Sequence, residues 1–163
     1  MLKHILVPLD GSQLAEGALE HAKNIIGPDG QITLITVMQA PEFPIYDFYP
    51  TPTSVVRDHE SEFQDAFPHA KEYLERIADD LKAAMKVSVR IEIEAGDAAN
   101  AIVEMAEKLQ VDAIVMSTHG RSGLGRWLFG SVTNKVMTVS PCPVYVIPNR
   151  HKAEQDTEQS AQV

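Results

Sequence analysis

Residues 115–133 read VMSTHGRSGLGRWLFGSVT and contain four of the chain's nine glycines. The residues just before, 113–116, form a short apolar run, which predicts a buried strand. Downstream, Val132, Val136 and Val139 recur at helical spacing, so the glycine-rich segment is predicted to run into a helix. The order of strand, glycine loop and helix is typical of α/β folds. This stretch therefore indicates the fold class of the chain.

The start of the predicted helix has the properties of an anion site. A helix start presents unpaired N–H groups and a partial positive charge, and glycine lets a ligand approach the backbone closely. Gly130 and Ser131 would offer amides and a hydroxyl to an anion such as phosphate. Arg121, Arg126 and Lys135 add positive charge nearby.

The glycines follow neither of two common phosphate-binding motifs. The segment contains no G-x-x-x-x-G-K-[S/T], so it is not a P-loop, and no G-x-G-x-x-G of the dinucleotide type. On these residues alone, an anion site and a plain loop whose glycines only serve turns are both open interpretations.

The loop resembles the signature of the universal stress protein family, in its ATP-binding branch. That signature is G-x-x-G, nine residues, and then glycine followed by serine or threonine. Gly120, the next nine residues and Gly130 with Ser131 match it, while Ser117 stands where the signature has its first glycine. The segments HILVPLDGS, residues 4–12, and SPCPVYVI, residues 140–147, resemble the family's opening and closing strands.

The resemblance implies a site for ATP with magnesium. It implies adenine near Val37 and Met116, and phosphates on the amides and hydroxyls of Gly120 and residues 130–133. Magnesium would bridge phosphate oxygens with help from Asp10. The implied ligand-contacting residues are Pro8, Leu9, Asp10, Val37, Met116, Ser117, His119, Gly120, Arg121, Gly130, Ser131, Val132 and Thr133.

The sequence predicts no catalytic residue and no metal site built from protein ligands. His119 lies inside the loop and is compatible with a ligand contact, a base or a structural hydrogen bond; the other histidines show no zinc spacing. The leading hypothesis is a nucleotide-binding module of the stress response. The alternatives are an enzyme, at most a slow ATPase, and a family member that prefers cyclic AMP or binds no nucleotide and acts through protein contacts.

Composition limits the function classes. The chain has 163 residues, 44% of them hydrophobic, which suits one domain with a sizeable core. A formal net charge of −9 argues against non-specific nucleic-acid binding. No apolar run reaches membrane-spanning length, and a single cysteine excludes an internal disulfide. We therefore expect a cytoplasmic protein that binds neither nucleic acid nor membrane.

Hydrophobic periodicity predicts five strands alternating with helices. This pattern predicts an α/β fold: a doubly wound, Rossmann-like, five-stranded parallel sheet in the order 3-2-1-4-5, with helices on both faces. In that order the first and fourth strands are neighbours, and Asp10 and Ser117 leave them at their carboxyl ends, where such folds bind ligands. The predicted strands are Ile5–Leu9, Gln31–Met38, Val87–Glu94, Ala113–Met116 and Val144–Ile147.

Three regions carry further predictions. Residues 40–67 contain four prolines and six of the ten aromatic residues, which favours a long loop packed on the domain over a lid or a partner surface. The next helix begins at Pro68 or, with Pro68 as a kink, nearer His59. The domain is predicted to span residues 1–148, and the polar tail 149–163 to be disordered. The last strand, Val144–Ile147, is an apolar sheet edge, which predicts a homodimer.

Overall fold

The computed structural model of the protein describes residues 1–38, 53–118 and 130–148. In these residues strands and helices alternate, and all strand pairs are parallel in the order β3-β2-β1-β4-β5. This order confirms the predicted doubly wound sheet. The strands are β1 (Leu2–Pro8), β2 (Ile26–Met38), β3 (Ser88–Ala95), β4 (Ala113–Ser117) and β5 (Val144–Ile147); the helices are α1 (Gln13–Ile25), α2 (Thr53–Ala84), α3 (Ala98–Leu109) and α4 (Ser131–Val139).

Two apolar layers cover the two faces of the sheet. On one face α1 and α2 pack against alternate residues of the central strand, among them Ile5 and Val7. On the other face α3 and α4 pack against Leu6 and its neighbours. Because Ile5–Val7 of β1 are buried on both faces of the sheet, this part of the strand is continuously apolar, as expected of a central parallel strand.

The second strand is longer than its predicted range. The sequence GPDG, residues 27–30, predicts a turn, yet β2 runs from Ile26 and pairs there with Leu2. The next pair joins His4 to Gln31, so the segment between forms an irregular bulge in β2. Proline and glycine break a ladder without ending the strand when they lie in such a bulge.

Helix α2 begins at Thr53, well before Pro68, which lies inside the helix. The prediction of a long loop is therefore wrong for residues 53–67, whereas residues 39–52 lie outside the described part of the chain. Burial along α2 is described from residue 65, where residues 65–69 are exposed and Leu74 is the first buried residue. Since α2 runs down to Ala84, next to the start of β3, residues 65–69 lie toward the carboxyl edge of the sheet.

Both sheet edges agree with the sequence. β3 has polar residues alternating with half-buried aliphatic residues, and it is one edge strand, as predicted. β5 forms the other edge. Among the described residues, no helix is both long and apolar enough to cross a bilayer. The predictions for the tail 149–163 fall outside the described residues.

Candidate functional site

A crevice opens between the two central strands at their carboxyl ends. In the described residues, β1 and β4 are joined only at two pairs, Ile5 with Ala113 and Leu6 with Ile114. Beyond these pairs each strand stays with its outer neighbour. The strands part at the point where the winding direction of the sheet reverses, which is where open α/β sheets bind ligands.

The first wall of the crevice is the end of β1. Pro8 pairs with Ile35 of β2, and the Leu9 amide donates to the Ile35 carbonyl at 2.8 Å. The Leu9 carbonyl in turn accepts the Thr36 hydroxyl at 2.9 Å. Leu9 is buried, so this wall is held to β2 and cannot close onto β4.

Asp10 follows in a tight turn that starts α1. Its Oδ1 accepts the Ser12 amide at 3.0 Å and the Ser12 hydroxyl at 2.6 Å. Ser12 caps α1 by accepting the Ala15 amide at 3.1 Å. Between them Gly11 has φ +81°, a conformation that favours glycine. The turn therefore fixes the Asp10 carboxylate at the mouth of the crevice.

The second wall is the end of β4, joined to the start of α4. Ser117 pairs with Ile147 of β5. The chain leaves the described region after Thr118 and returns at Gly130, whose amide donates to the Thr118 carbonyl at 3.0 Å. The Thr133 hydroxyl donates to the Ser117 carbonyl at 3.3 Å, so the first turn of α4 is tied to the strand end. Thus both ends of the glycine segment meet at the crevice.

No side chain caps α4 within the described residues. Its N-cap residue is Gly130, with φ −56° and ψ 156°. This φ is open to any residue, so backbone conformation does not require glycine here. A Cβ built on Gly130 would have the Thr118 carbonyl oxygen as its nearest neighbour, at 3.4 Å, which is ordinary contact. Within the described residues, neither backbone conformation nor packing requires glycine at this position.

The other residues of this helix start that are predicted to contact the ligand differ in their solvent exposure. Ser131 is exposed, Val132 is half-buried and Thr133 is 4% exposed. Because the Thr133 hydroxyl already donates to Ser117, only the residue's amide and its hydroxyl lone pairs remain for a ligand. The predicted residues His119, Gly120 and Arg121 lie outside the described residues, as does Arg126.

The predicted adenine contacts share one face of the sheet. Met116 is 5% exposed and belongs to the apolar layer beneath α3 and α4. Val37 is half-buried and packs against the same layer. These two side chains therefore lie on the α3–α4 face, and Val37 keeps more exposed surface than Met116 does.

One charged side chain of α4 has a partner that the sequence does not predict. Lys135 was expected as a cation beside the loop, but its Nζ binds Asp97 Oδ1 at 3.1 Å. Asp97 also caps α3 by accepting the Asn100 amide at 2.8 Å. The Asn100 amide, and then Lys135, lower the pKa of Asp97. Sequence reasoning missed this pair because its members are 38 positions apart.

A groove of about 410 Å³ beside α3 is a poorer place for an anion. Its lining includes Glu94, Asp97 and Glu104, with Lys108 at one end. Three carboxylates repel phosphate, so the crevice is the better candidate. The described residues also contain no group of three or more His, Cys, Asp or Glu side chains arranged to hold a metal ion.

Comparison with known proteins gives one family. The model of the universal stress protein family matches residues 1–148. The universal stress protein MJ0531 of Methanocaldococcus jannaschii is 33% identical over 156 residues, covering 93% of this chain and 85% of its own length. The solved structure of MJ0577, from the same organism, has a TM-score of 0.79 at 30% identity and covers 91% of this chain and 97% of that one. A universal stress protein in complex with cyclic AMP has a TM-score of 0.55 at 21% identity, covering 90% and 96%, which shows a shared fold.

Proposed function

This chain belongs to the universal stress protein family, and from that premise we propose that it is a binding module whose ligand is ATP with magnesium. The observation that carries the proposal is the start of α4, which no side chain of the described residues caps and which is tied to the carboxyl end of β4. The signature match at Gly120, Gly130 and Ser131 supports the same position.

The first turn of α4 suits phosphate on electrostatic grounds. Its leading amides point out of the helix and carry the positive end of the helix dipole. No side chain of the described residues neutralises that end. A phosphate group would supply both the acceptor atoms and the negative charge that this helix start lacks, even though the whole chain is acidic.

We favour a triphosphate over a monophosphate because of the number of donors. The amides at residues 131–133, those near Gly120, and the cations Arg121 and Arg126 are more than one phosphate can use. Cyclic AMP, the ligand of one structure with this fold, would leave several of these groups facing water.

Magnesium would be held mainly by the nucleotide. Mg²⁺ keeps several waters and commonly takes only one or two carboxylates together with substrate phosphates. The Asp10 carboxylate at the crevice mouth fits that role. The proposal needs no cluster of protein ligands around the ion. It also assigns the protein to the cytoplasm, where ATP is abundant.

Thermal stability in the presence of nucleotides tests the proposal. A ligand that binds only the native state raises stability by about 2.7 kcal/mol at a hundredfold excess over its dissociation constant. For a domain of this size that is roughly two to four degrees per kcal/mol. We expect the largest shift with ATP and magnesium, then ADP, then AMP or cyclic AMP. Small molecules released from the purified protein should first be identified by mass spectrometry, so that nucleotide already bound is not overlooked.

Two outcomes would change the assignment. A larger shift with cyclic AMP would favour the cyclic-nucleotide alternative. No shift with any nucleotide, in protein free of bound nucleotide, would mean that Ser117 marks a family member without the site.

We also propose that the protein is a homodimer through β5. β5 is a sheet edge, and Tyr145 on it and Val139 of α4 are large apolar residues that remain 43% and 52% exposed. An uncovered apolar edge favours association, and pairing with a second copy across a two-fold axis covers it with one self-complementary surface. Sedimentation at micromolar concentration should show a dimer, and Tyr145→Lys should shift it toward monomer. A monomeric unaltered protein contradicts the proposal.

A further inference from the structure

A side chain of β2 makes a contact with the chain just beyond the end of β1. β2 pairs with β3 as far as Met38, but it pairs with β1 only as far as the pair of Pro8 with Ile35. One position beyond that pair, the Thr36 hydroxyl donates to the Leu9 carbonyl at 2.9 Å. Thr36 therefore holds a backbone group that lies past the last paired residue of β1.

Both backbone groups of Leu9 are bonded to β2. The Leu9 amide donates to the Ile35 carbonyl at 2.8 Å, and the Leu9 carbonyl accepts the Thr36 hydroxyl. Leu9 is 3% exposed, so its carbonyl is shielded from water that could replace the hydroxyl. Valine suits a strand as well as threonine does, so the strand itself does not require a hydroxyl at position 36.

Holding the Leu9 carbonyl also orients the next residue, Asp10. The peptide unit that joins the two residues is planar, and the described residues contain no cis peptide bond. A fixed carbonyl oxygen therefore sets the direction in which the backbone of Asp10 leaves β1. From there the Asp10 carboxylate accepts from the amide and the hydroxyl of Ser12 at the mouth of the crevice.

The opposite wall of the crevice has a contact of the same kind. The Thr133 hydroxyl of α4 donates to the Ser117 carbonyl, at the end of β4. The ends of both central strands are thus held by a threonine hydroxyl from a neighbouring element. Contacts within the protein that fix the two walls before a ligand binds reduce the ordering that binding requires.

We propose that Thr36 is a positioning residue for the bound magnesium nucleotide. Its hydroxyl holds the Leu9–Asp10 peptide in the orientation that places the Asp10 carboxylate at the crevice. The inference rests on the proposed nucleotide site and adds a hydroxyl of β2 to the groups that determine its affinity. Because Asp10 acts on magnesium in that proposal, Thr36 should matter more for ATP with magnesium than for ATP alone.

Thr36→Val removes the hydroxyl and keeps a β-branched side chain of similar size. We expect the dissociation constant for ATP with magnesium to rise about tenfold, because the Leu9–Asp10 peptide must then be ordered when the ligand binds. The dissociation constant for ATP without magnesium should rise less. Thr36→Ser keeps a hydroxyl and should bind as the unaltered protein does. Calorimetry measures the affinities, and circular dichroism at the same temperature checks that each variant is folded.

Ser88→Ala is the matched control for the loss of a hydroxyl from the sheet. The Ser88 hydroxyl of β3 donates to the Gly30 carbonyl of β2 at 3.4 Å, so it also joins a side chain to a neighbouring strand. Ser88 is the first residue of β3 and therefore lies at the amino edge, away from the crevice. This variant should leave the affinity for ATP with magnesium unchanged.

A double-mutant cycle tests whether Thr36 acts through Asp10. Asp10→Asn removes the charge but keeps an oxygen that can accept from Ser12. In that background, Thr36→Val should change the affinity for ATP with magnesium much less than it does alone. Additive effects of the two substitutions would mean that Thr36 does not act through Asp10, which overturns the inference.

The outcomes separate this inference from the proposed function. If the unaltered protein binds ATP with magnesium and Thr36→Val binds it equally well, the role of Thr36 is overturned and the nucleotide site stands. A loss in Thr36→Val that is matched by Thr36→Ser or by Ser88→Ala reflects the packing of the sheet, and it also overturns the role. If the unaltered protein binds no nucleotide, the proposed function itself fails, and the role of Thr36 with it.

Discussion

Helices α3 and α4 lie on the same face of the sheet, yet they begin in opposite ways. At α3, the Asp97 side chain accepts the Asn100 amide and also binds Lys135. At α4, Gly130 supplies no side chain, and its own amide donates to Thr118. The first turn of α3 is thus capped by a carboxylate of the chain itself. Among the described residues, no side chain caps the first turn of α4.

The α3 start shows what an anion gains at such a position. The Asn100 amide is the largest cause of the lowered pKa of Asp97, so the helix start stabilises the charged form of the carboxylate. The same kind of amides at α4 would stabilise a phosphate for the same reason. If the proposed function holds, the difference between the two helices is the source of the anion, which is internal at α3 and a ligand at α4.

The largest expected effect comes from giving α4 the kind of cap that α3 has. Gly130→Asp places a carboxylate at the start of α4, where a Cβ meets, among the described residues, only the Thr118 oxygen at 3.4 Å. We expect ATP affinity to fall by about a hundredfold or more, because a carboxylate takes the amides and repels phosphate. Without nucleotide, stability should rise by a few tenths of a kcal/mol, the usual difference between aspartate and glycine at this position.

Calorimetry with ATP and chemical denaturation without nucleotide measure these two effects separately. Gly130→Ala is the control for added bulk alone, and it should weaken binding less than Gly130→Asp does. If Gly130→Asp binds ATP as tightly as the unaltered protein, α4 does not hold the phosphates. The difference in capping between α3 and α4 is then unrelated to ligand binding.

How far the sequence predicts the site depends on whether the signal is local. The helix start at Ser131 and the strand 144–147 follow from periodicity and glycine position, because these are properties of neighbouring residues. The sheet order is not local, and it follows from the doubly wound arrangement that alternating strands and helices predict. The convergence of Asp10 and Ser117 at the crevice follows from the sheet order together with the parallel strands.

What the sequence does not predict depends on pairing across the fold. Nothing near Lys135 indicates that Asp97 holds it, and helical periodicity does not reveal that Arg76 of α2 pairs with Glu16 of α1. Helix α2 was also predicted too short, because prolines and aromatic residues upstream outweighed a helical pattern that continues to Thr53.

A smaller effect is expected from removing the internal anion at α3. Asp97→Ala leaves the first turn of α3 uncapped and releases Lys135, so the melting temperature without nucleotide should fall by a few degrees. Because the pKa of Asp97 is lowered in the folded protein, its contribution is present above its ordinary pKa of 3.8 and is lost as pH falls below that value. Differential scanning calorimetry at neutral and acidic pH measures both the fall in melting temperature and its dependence on pH.

The effect of Asp97→Ala on ATP binding also tests the comparison between α3 and α4. ATP affinity should stay the same or increase slightly, since α4 is intact and Lys135 is no longer held by Asp97. A loss of affinity as large as that of Gly130→Asp would mean that both helix starts serve the ligand, contrary to the division of roles proposed here.

The smallest expected effect lies at the opposite edge of the sheet, where β1 begins. His4 Nε2 shares a hydrogen bond of 2.9 Å with the hydroxyl of buried Thr33. Burial lowers the pKa of His4 below its ordinary value of 6.5, and Arg90 lowers it further, while Asp112 opposes them. The native protein therefore takes up this proton at a lower pH than the unfolded chain does, so stability is full above pH 6.5 and falls as pH drops below it.

Chemical denaturation at about pH 7.5 and pH 5.5 tests this sign, with His4→Gln as the comparison. Glutamine keeps a polar group near Thr33 but does not titrate, so the variant should lose less stability between the two pH values than the unaltered protein does. Its ATP affinity at neutral pH should be unchanged, because His4 is at the amino end of β1 and the crevice is at the carboxyl end. If His4→Gln weakens ATP binding as strongly as a change at Gly130, residues away from the carboxyl edge of the sheet also determine the ATP affinity. The contrast between α3 and α4 would then describe helix capping without locating the site.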